Sequence, residues 1–121
     1  MRTEAGLLEL YHREIGLPDF AKQLDGTKHT LKLSKHAEQA QYQDRYGAFE
    51  IPDVLYVRLP DVFEIGVEGK QIVKVAVRRK YDDRYDISIV FNKDSGVVRT
   101  AWLNERTDRH STLDASKYCR P

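Results

Sequence analysis

The stretch Gln71-Ile72-Val73-Lys74-Val75-Ala76-Val77-Arg78-Arg79-Lys80-Tyr81 decides how this chain is read. Side chains along a strand alternate between two faces, so Val73, Val75 and Val77 share one side while Lys74, Arg78 and Lys80 share the other. The run Val97–Asn104 repeats the pattern: Val98, Thr100, Trp102 and Asn104 fall on one face, opposite Val97, Ala101 and Leu103. A sheet face carrying cations, hydroxyls, an amide and an indole suits an anionic, stackable ligand, and RNA leads the candidates.

Four strand-like runs follow one another around this stretch: Val62–Val67, Ile72–Tyr81, Tyr85–Asn92 and Val97–Asn104. Turn signals separate them, at Glu68-Gly69-Lys70, Asp82-Asp83 and Asn92-Lys93-Asp94-Ser95-Gly96. Loops this short predict an antiparallel meander. Upstream, Thr3 can cap a first helix with Leu7, Leu8, Tyr11 and Ile15 on one side, stopped by Gly16 and Pro18. Phe20 and Leu24 suit one short turn, and His29, Leu31 and Leu33 alternate as a short strand.

Ser34 reads as the N-cap of a second helix from Lys35 to about Tyr46, ended by Gly47. With only Ala37, Ala40, Tyr42 and Tyr46 to bury, that helix is better suited to presenting polar residues than to packing. Ile51–Pro60, with two prolines, reads as an extended connection with one helical turn. The tail over residues 105–121 runs across the sheet or its edge, anchored by Leu113, Tyr118 and the clustered His110 and Thr112. The expected fold class is α+β: helices within residues 1–47 packed on a four-stranded antiparallel meander over 62–104, all in one domain spanning 1–121.

Composition sets limits on function. The 121 residues, 40% hydrophobic and 32% charged, suit one soluble domain with a single core. No run approaches a membrane span, and residues 1–10 lack the layout of a signal peptide. The lone Cys119 has no internal partner, which fits a reducing, cytoplasmic setting. Four histidines and one cysteine show no ligand spacing, so no metal or other cofactor is expected. A net charge of +1 argues against polyanion binding by bulk charge. The basic charge is local instead, with Lys70, Lys74, Arg78, Arg79, Lys80 and Arg84 set against Asp82 and Asp83.

This inventory suits RNA transesterification, in which a base takes the ribose 2′-OH proton, cations stabilise a phosphorane and an acid protonates the leaving 5′-oxygen. His36 is the first candidate base, because the positive end of the helix dipole opposes its protonation. Arg78 would hold non-bridging oxygens in a bidentate manner, Lys74 and Lys80 would add charge, and Thr100 would donate to the phosphate. His110 is the candidate acid, Asn104 lies on the same substrate-facing side, and Trp102 or Tyr118 would stack on a base. His12 and His29 read as ordinary surface or core-edge residues.

The run Leu33-Ser34-Lys35-His36-Ala37-Glu38-Gln39, ahead of Arg45-Tyr46-Gly47, resembles the “S-x-H-A-x-x-R … R-G” opening of small bacterial domains. These belong to the barnase–EndoU–colicin–RelE-like (BECR) ribonuclease superfamily. The strand block Val75–Tyr81, Tyr85–Phe91 and Gly96–Asn104 also resembles that of such toxin domains. So does the ending His110-Ser111-Thr112-Leu113-Asp114 with Ser116-Lys117-Tyr118. The resemblance implies one or two helices against a four-stranded antiparallel sheet, and metal-independent cleavage of RNA, tRNA among the candidates, to a 2′,3′-cyclic phosphate. It carries functional weight onto His36, Arg78, Thr100 and His110. It further implies a toxin, free-standing or an excised module, held in check by a cognate immunity or antitoxin protein. The alternative reading is a non-catalytic phage or bacterial protein that binds and inhibits a host factor.

Overall fold

Period-two alternation governs more of this chain than its four apolar runs suggest. The computed structural model describes residues 7–108 and 114–120. Among them the elements are β1 (Leu8–His12), β2 (Lys28–Thr30), β3 (Lys32–Leu33), α1 (Lys35–Gln43), β4 (Val54–Tyr56), β5 (Val62–Glu68), β6 (Gln71–Lys80), β7 (Tyr85–Asn92) and β8 (Val97–Glu105). Single 3₁₀ segments lie at Asp19–Leu24, Leu59–Asp61 and Ala115–Lys117. The main sheet has six strands in the order β1-β5-β6-β7-β8-β3, and β2 pairs separately with β4. Every pairing is antiparallel except that of β3, which runs parallel to β8.

The expected arrangement of N-terminal helices on a four-stranded meander is therefore overturned. The predicted runs form β5 to β8, but β1 and β3 extend them into a mixed six-stranded sheet, and α1 is the only α-helix among the described residues. Leu7, Leu8, Tyr11 and Ile15 are spaced as on a helix, yet the segment also alternates, with Leu8, Leu10 and His12 on one side and Glu9 and Tyr11 on the other. Pairing decides between the two: Tyr11 lies opposite Ile65 and His12 opposite Glu64, and a half-buried edge position outweighs local propensity.

One face of the sheet is covered and apolar. Ile65, Val75, Val77, Ile89, Phe91 and Leu103 lie in the core, packed with Leu24, Leu55, Val57 and Phe49 from the overlying segments. α1 covers the β8 side of this inner face, burying Ala37 and Gln41. Its start follows expectation, with Ser34 Oγ accepting from the Ala37 amide at 3.1 Å. It ends earlier than Tyr46 because Asp44 leaves the helix. The Asp44 carboxylate accepts from the Tyr46 amide at 3.0 Å and from the Leu103 amide of β8 at 3.1 Å.

Three irregularities change which residues face which way, and the first, in β5, passes from Val62–Val77 to Glu64–Ala76 and leaves Phe63 as an extra residue. In β8 the pairing passes from Val90–Thr100 to Phe91–Val98, so Arg99 is an extra residue and Val98 turns into the core beside Phe91. Val98 therefore does not share the face of Thr100, Trp102 and Asn104. In β6 the shift from Gly66–Lys74 to Val67–Ile72 leaves Val73 as the extra residue and gives Ile72 the core position.

At the β7–β8 turn the backbone of Gly96 packs directly on that of Thr30. The residue has φ +76, and a Cβ here would collide with the Thr30 carbonyl oxygen. Gly47, at φ +107, has nothing within 4 Å of the same position. Gly96→Ala is expected to cost more stability than Gly47→Ala, which bears only the backbone strain of roughly 1–3 kcal/mol. Urea midpoints of the two variants check this, and equal losses would rule out the close approach.

Candidate active site

The face opposite α1 is the polar one, and the register lays it out as a grid. One cross-strand row runs His12, Glu64, Ala76, Val90 and Thr100. The next carries Arg78, Ser88 and Trp102, and a third carries Lys80, Asp86 and Asn104. On the other side of Glu64 lie Leu10, Gly66, Lys74 and Asn92. Gly66 allows close packing here: a Cβ on it would sit 3.1 Å from that of Lys74 and 3.0 Å from Leu8 Cδ1.

Charges on this face pair along diagonals, as long side chains on neighbouring strands can. Lys74 Nζ lies 2.8 Å from Glu64 Oε2, both side chains only 15% exposed. Tyr118 Oη donates to Glu64 Oε1 at 2.6 Å, bringing the tail onto the same carboxylate. Burial works against ionisation of Glu64. The bonds from Lys74 and Tyr118, with the charges of Lys74 and His12, outweigh it and hold the carboxyl below the usual range. The Tyr118 phenol moves the other way, raised by burial, by its bond to Glu64 and by the nearby carboxylates. Tyr118 is thus a hydrogen-bond donor at neutral pH.

His12 is 3% exposed. Its ring meets that of Tyr118 edge-on at 5.1 Å and lies 6.0 Å from that of Phe63. The Glu14 amide donates to Nδ1 at 3.1 Å, which places the proton of the neutral ring on Nε2. Beside it, Arg78 Nε donates to Asp86 at 3.0 Å, while Nη2 donates to the Glu105 and Asp108 carbonyls at 3.0 and 2.7 Å. Among the described residues Nη1 has no acceptor, leaving one edge of the guanidinium able to donate. His12, Phe63, Arg78 and Asp86 line one cavity of about 220 Å³.

The predicted site residues divide accordingly. Arg78, Lys74, Lys80, Thr100, Trp102 and Asn104 share the outer face. Lys80 sits at its exposed end, 3.3 Å from Asp83, and Asn104 accepts from Ser88 Oγ at 2.8 Å. Trp102 packs edge-on against Phe63 at 6.5 Å. Tyr118 joins this face, although its phenol and ring are committed to Glu64 and His12. His36 does not join it. It lies on α1 against Ala40, Gln43, Asp44 and Ala101, on the inner side of the sheet. His110 lies outside the described residues.

Two residues at the centre, His12 and Glu64, were not anticipated. For Glu64 the signal was a lone carboxylate between Phe63 and Ile65 in a strand run. For His12 it was the alternation within β1, which the helical spacing obscured. No known family matches this chain, and no curated protein or solved structure is significantly similar to it.

The lowered Glu64 ionisation sets a pH dependence. A carboxyl whose folded value is depressed stabilises the protein above its unfolded value, about 4.3 for glutamate, and that contribution disappears as pH falls through the folded value. Glu64→Gln is therefore expected to destabilise at pH 7, with the gap to the parent protein narrowing as pH falls below about 4.3. Urea midpoints across that range measure it, and a constant gap would show that Glu64 ionisation is not what its neighbours stabilise.

Proposed function

We propose that the outer face of the sheet cleaves RNA by metal-independent transesterification. The observation that carries this reading is Glu64: a largely buried carboxylate kept ionised by Lys74 and Tyr118, adjoining His12 and the cavity that exposes Arg78. An ionised carboxylate can take the 2′-OH proton, and the Arg78 Nη1 edge can donate to a non-bridging oxygen as charge develops on the phosphorane. His12, whose Nδ1 accepts from the Glu14 amide, offers Nε2–H as a hydrogen-bond donor to the leaving 5′-oxygen, which takes its proton from water. Attack by the 2′-oxygen forms the 2′,3′-cyclic phosphate as the 5′-oxygen bond breaks. Phe63 and Trp102 border the face with aromatic surface on which a base can stack.

The base role moves from His36 to Glu64 because His36 is on the opposite side of the sheet. The resemblance to BECR ribonucleases supports the same chemistry. On this reading the protein is a toxin-like endoribonuclease acting on RNA, tRNA among its candidate substrates, in a bacterial or phage-infected cytoplasm and restrained by a cognate inhibitor protein. Among the described residues no helix is long and apolar enough to cross a membrane. A second reading, a non-catalytic module that binds a host factor, is favoured by Tyr42 and Tyr56, which are 74% and 57% exposed.

Purified protein incubated with total RNA in EDTA tests the proposal. Discrete products ending in 2′,3′-cyclic phosphate are expected. Glu64→Gln should slow cleavage roughly 100- to 10,000-fold, and His12→Asn and Arg78→Ala each roughly 100- to 1,000-fold, while His36→Ala retains the parent rate. RNA left intact by the folded parent protein, or full activity in Glu64→Gln, would defeat the reading. Intact RNA would turn attention to Tyr42 and Tyr56.

A further inference from the structure

The outer face holds its cations in pairs. Lys74 is matched by Glu64, Arg78 and Arg106 share Asp86, and Lys80 meets Asp83. A face neutralised in this way can orient a phosphate at contact but draws a polyanion from solution only weakly. One group of lysines without such carboxylates lies elsewhere, at the end of the sheet where β5 turns into β6 and β7 into β8.

There Lys28, Lys32 and Lys70 form no ion pair among the described residues, and Lys93 only touches the exposed Asp94, at 3.6 Å. These lysines line two adjoining clefts that share Lys93 and Asp94. One, of about 360 Å³, lies between the β2–β3 corner and the β7–β8 turn and presents Lys28, His29, Lys32 and Lys93. The other, of about 290 Å³, presents Gln23, Lys70, Gln71 and Lys93.

The backbone under these clefts is fixed. Gly69 and Lys70 both take positive φ, 56° and 71°, in the tight β5–β6 turn. The Lys32 amide donates to the Gly96 carbonyl at 2.9 Å, and the Lys93 amide donates to that of Val73 at 3.0 Å. The His29 ring is held by Thr27 Oγ at 2.9 Å. Lys93 follows Asn92, and Asn92 pairs across the sheet with Lys74. The clefts themselves are lined from the inner layer, by His29 against Phe91 and by Ile72, so a strand bound there reaches Lys74 and Glu64 around the end of the sheet.

We infer that this lysine-lined end of the sheet binds the phosphate backbone of RNA, capturing a strand whose scissile phosphate lies at Glu64 and Arg78. The inference rests on the RNA reading proposed above and adds a contact surface outside the cleavage site. Two clefts divided by one lysine offer successive phosphates separate cationic positions.

Fluorescence anisotropy with a labelled 2′-O-methyl oligonucleotide, which lacks the attacking hydroxyl, separates capture from cleavage. The triple variant Lys28→Gln/Lys32→Gln/Lys93→Gln should bind at least about tenfold more weakly near 0.1 M salt, and the slope of log affinity against log salt should become shallower by about 2 for three lost contacts. A control with the same charge change at exposed sites elsewhere, Arg45→Gln/Arg58→Gln/Arg99→Gln, should keep the parent affinity. Thermal melts establish that both variants are folded.

An unchanged affinity in the lysine variant, or an equal loss in the control, overturns the inference. So does preference of the parent protein for an acidic peptide of matched charge over the oligonucleotide. Loss of binding in the lysine variant alone supports the capture surface even if the parent cleaves nothing, in which case only the ribonuclease reading falls. Cleavage by the parent protein with binding unaffected by the lysines removes the capture surface and leaves the cleavage site in place.

Discussion

With only 15% of its side chain reached by water, the Glu64 carboxylate must be solvated by protein, and distant segments are committed to that task. Lys74 comes from the next strand, Tyr118 from the tail, and His12 sits opposite Glu64 on the edge strand. Removing one partner would leave a buried charge poorly satisfied, a far larger cost than any of these contacts contributes alone. The arrangement also fixes the neighbours. Lys74 is held across Gly66, the Tyr118 ring closes over His12, and the Glu14 amide sets the imidazole tautomer. One carboxylate thus organises the polar face as the inner apolar residues organise the other.

The middle of the sheet was legible because strong alternation and strong turn signals coincide from Val62 to Asn104. What escaped was set by pairing rather than by local pattern. β1 carries apolar residues at both helical and strand spacing, and only its fit beside β5 resolves the choice. β3 has two residues, too few for any period to register. The extra residues Val73 and Arg99 leave no mark in composition, yet they send Ile72 and Val98 into the core. The cations of the candidate site were visible on the face of β6. The carboxylate they serve was hidden because its significance depends on the diagonal register between β5 and β6.

Charge is divided between two parts of the molecule with different surroundings. On the outer face each cation has a carboxylate nearby, which fixes geometry and cancels the long-range field. At the turn end Lys28, Lys32 and Lys70 have no ion pair among the described residues and Lys93 meets only the exposed Asp94, on backbone held by tight turns. A net charge of +1 conceals this division.

The Tyr118–Glu64 bond joins residues 54 apart in the chain, and Cys119 reaches Glu9 across 110. Both contacts bring the end of the chain back onto the β1–β5 side of the sheet. The Cys119 amide also bonds the Leu10 carbonyl, covering part of the β1 edge that would otherwise template pairing with another chain. The tail therefore couples three events: the edge is shielded, the carboxylate gains its phenol, and the histidine is enclosed. A chain folded around the β5–β8 core but without its tail docked would keep most of its secondary structure while leaving the β1 edge uncovered and Glu64 without its phenol donor.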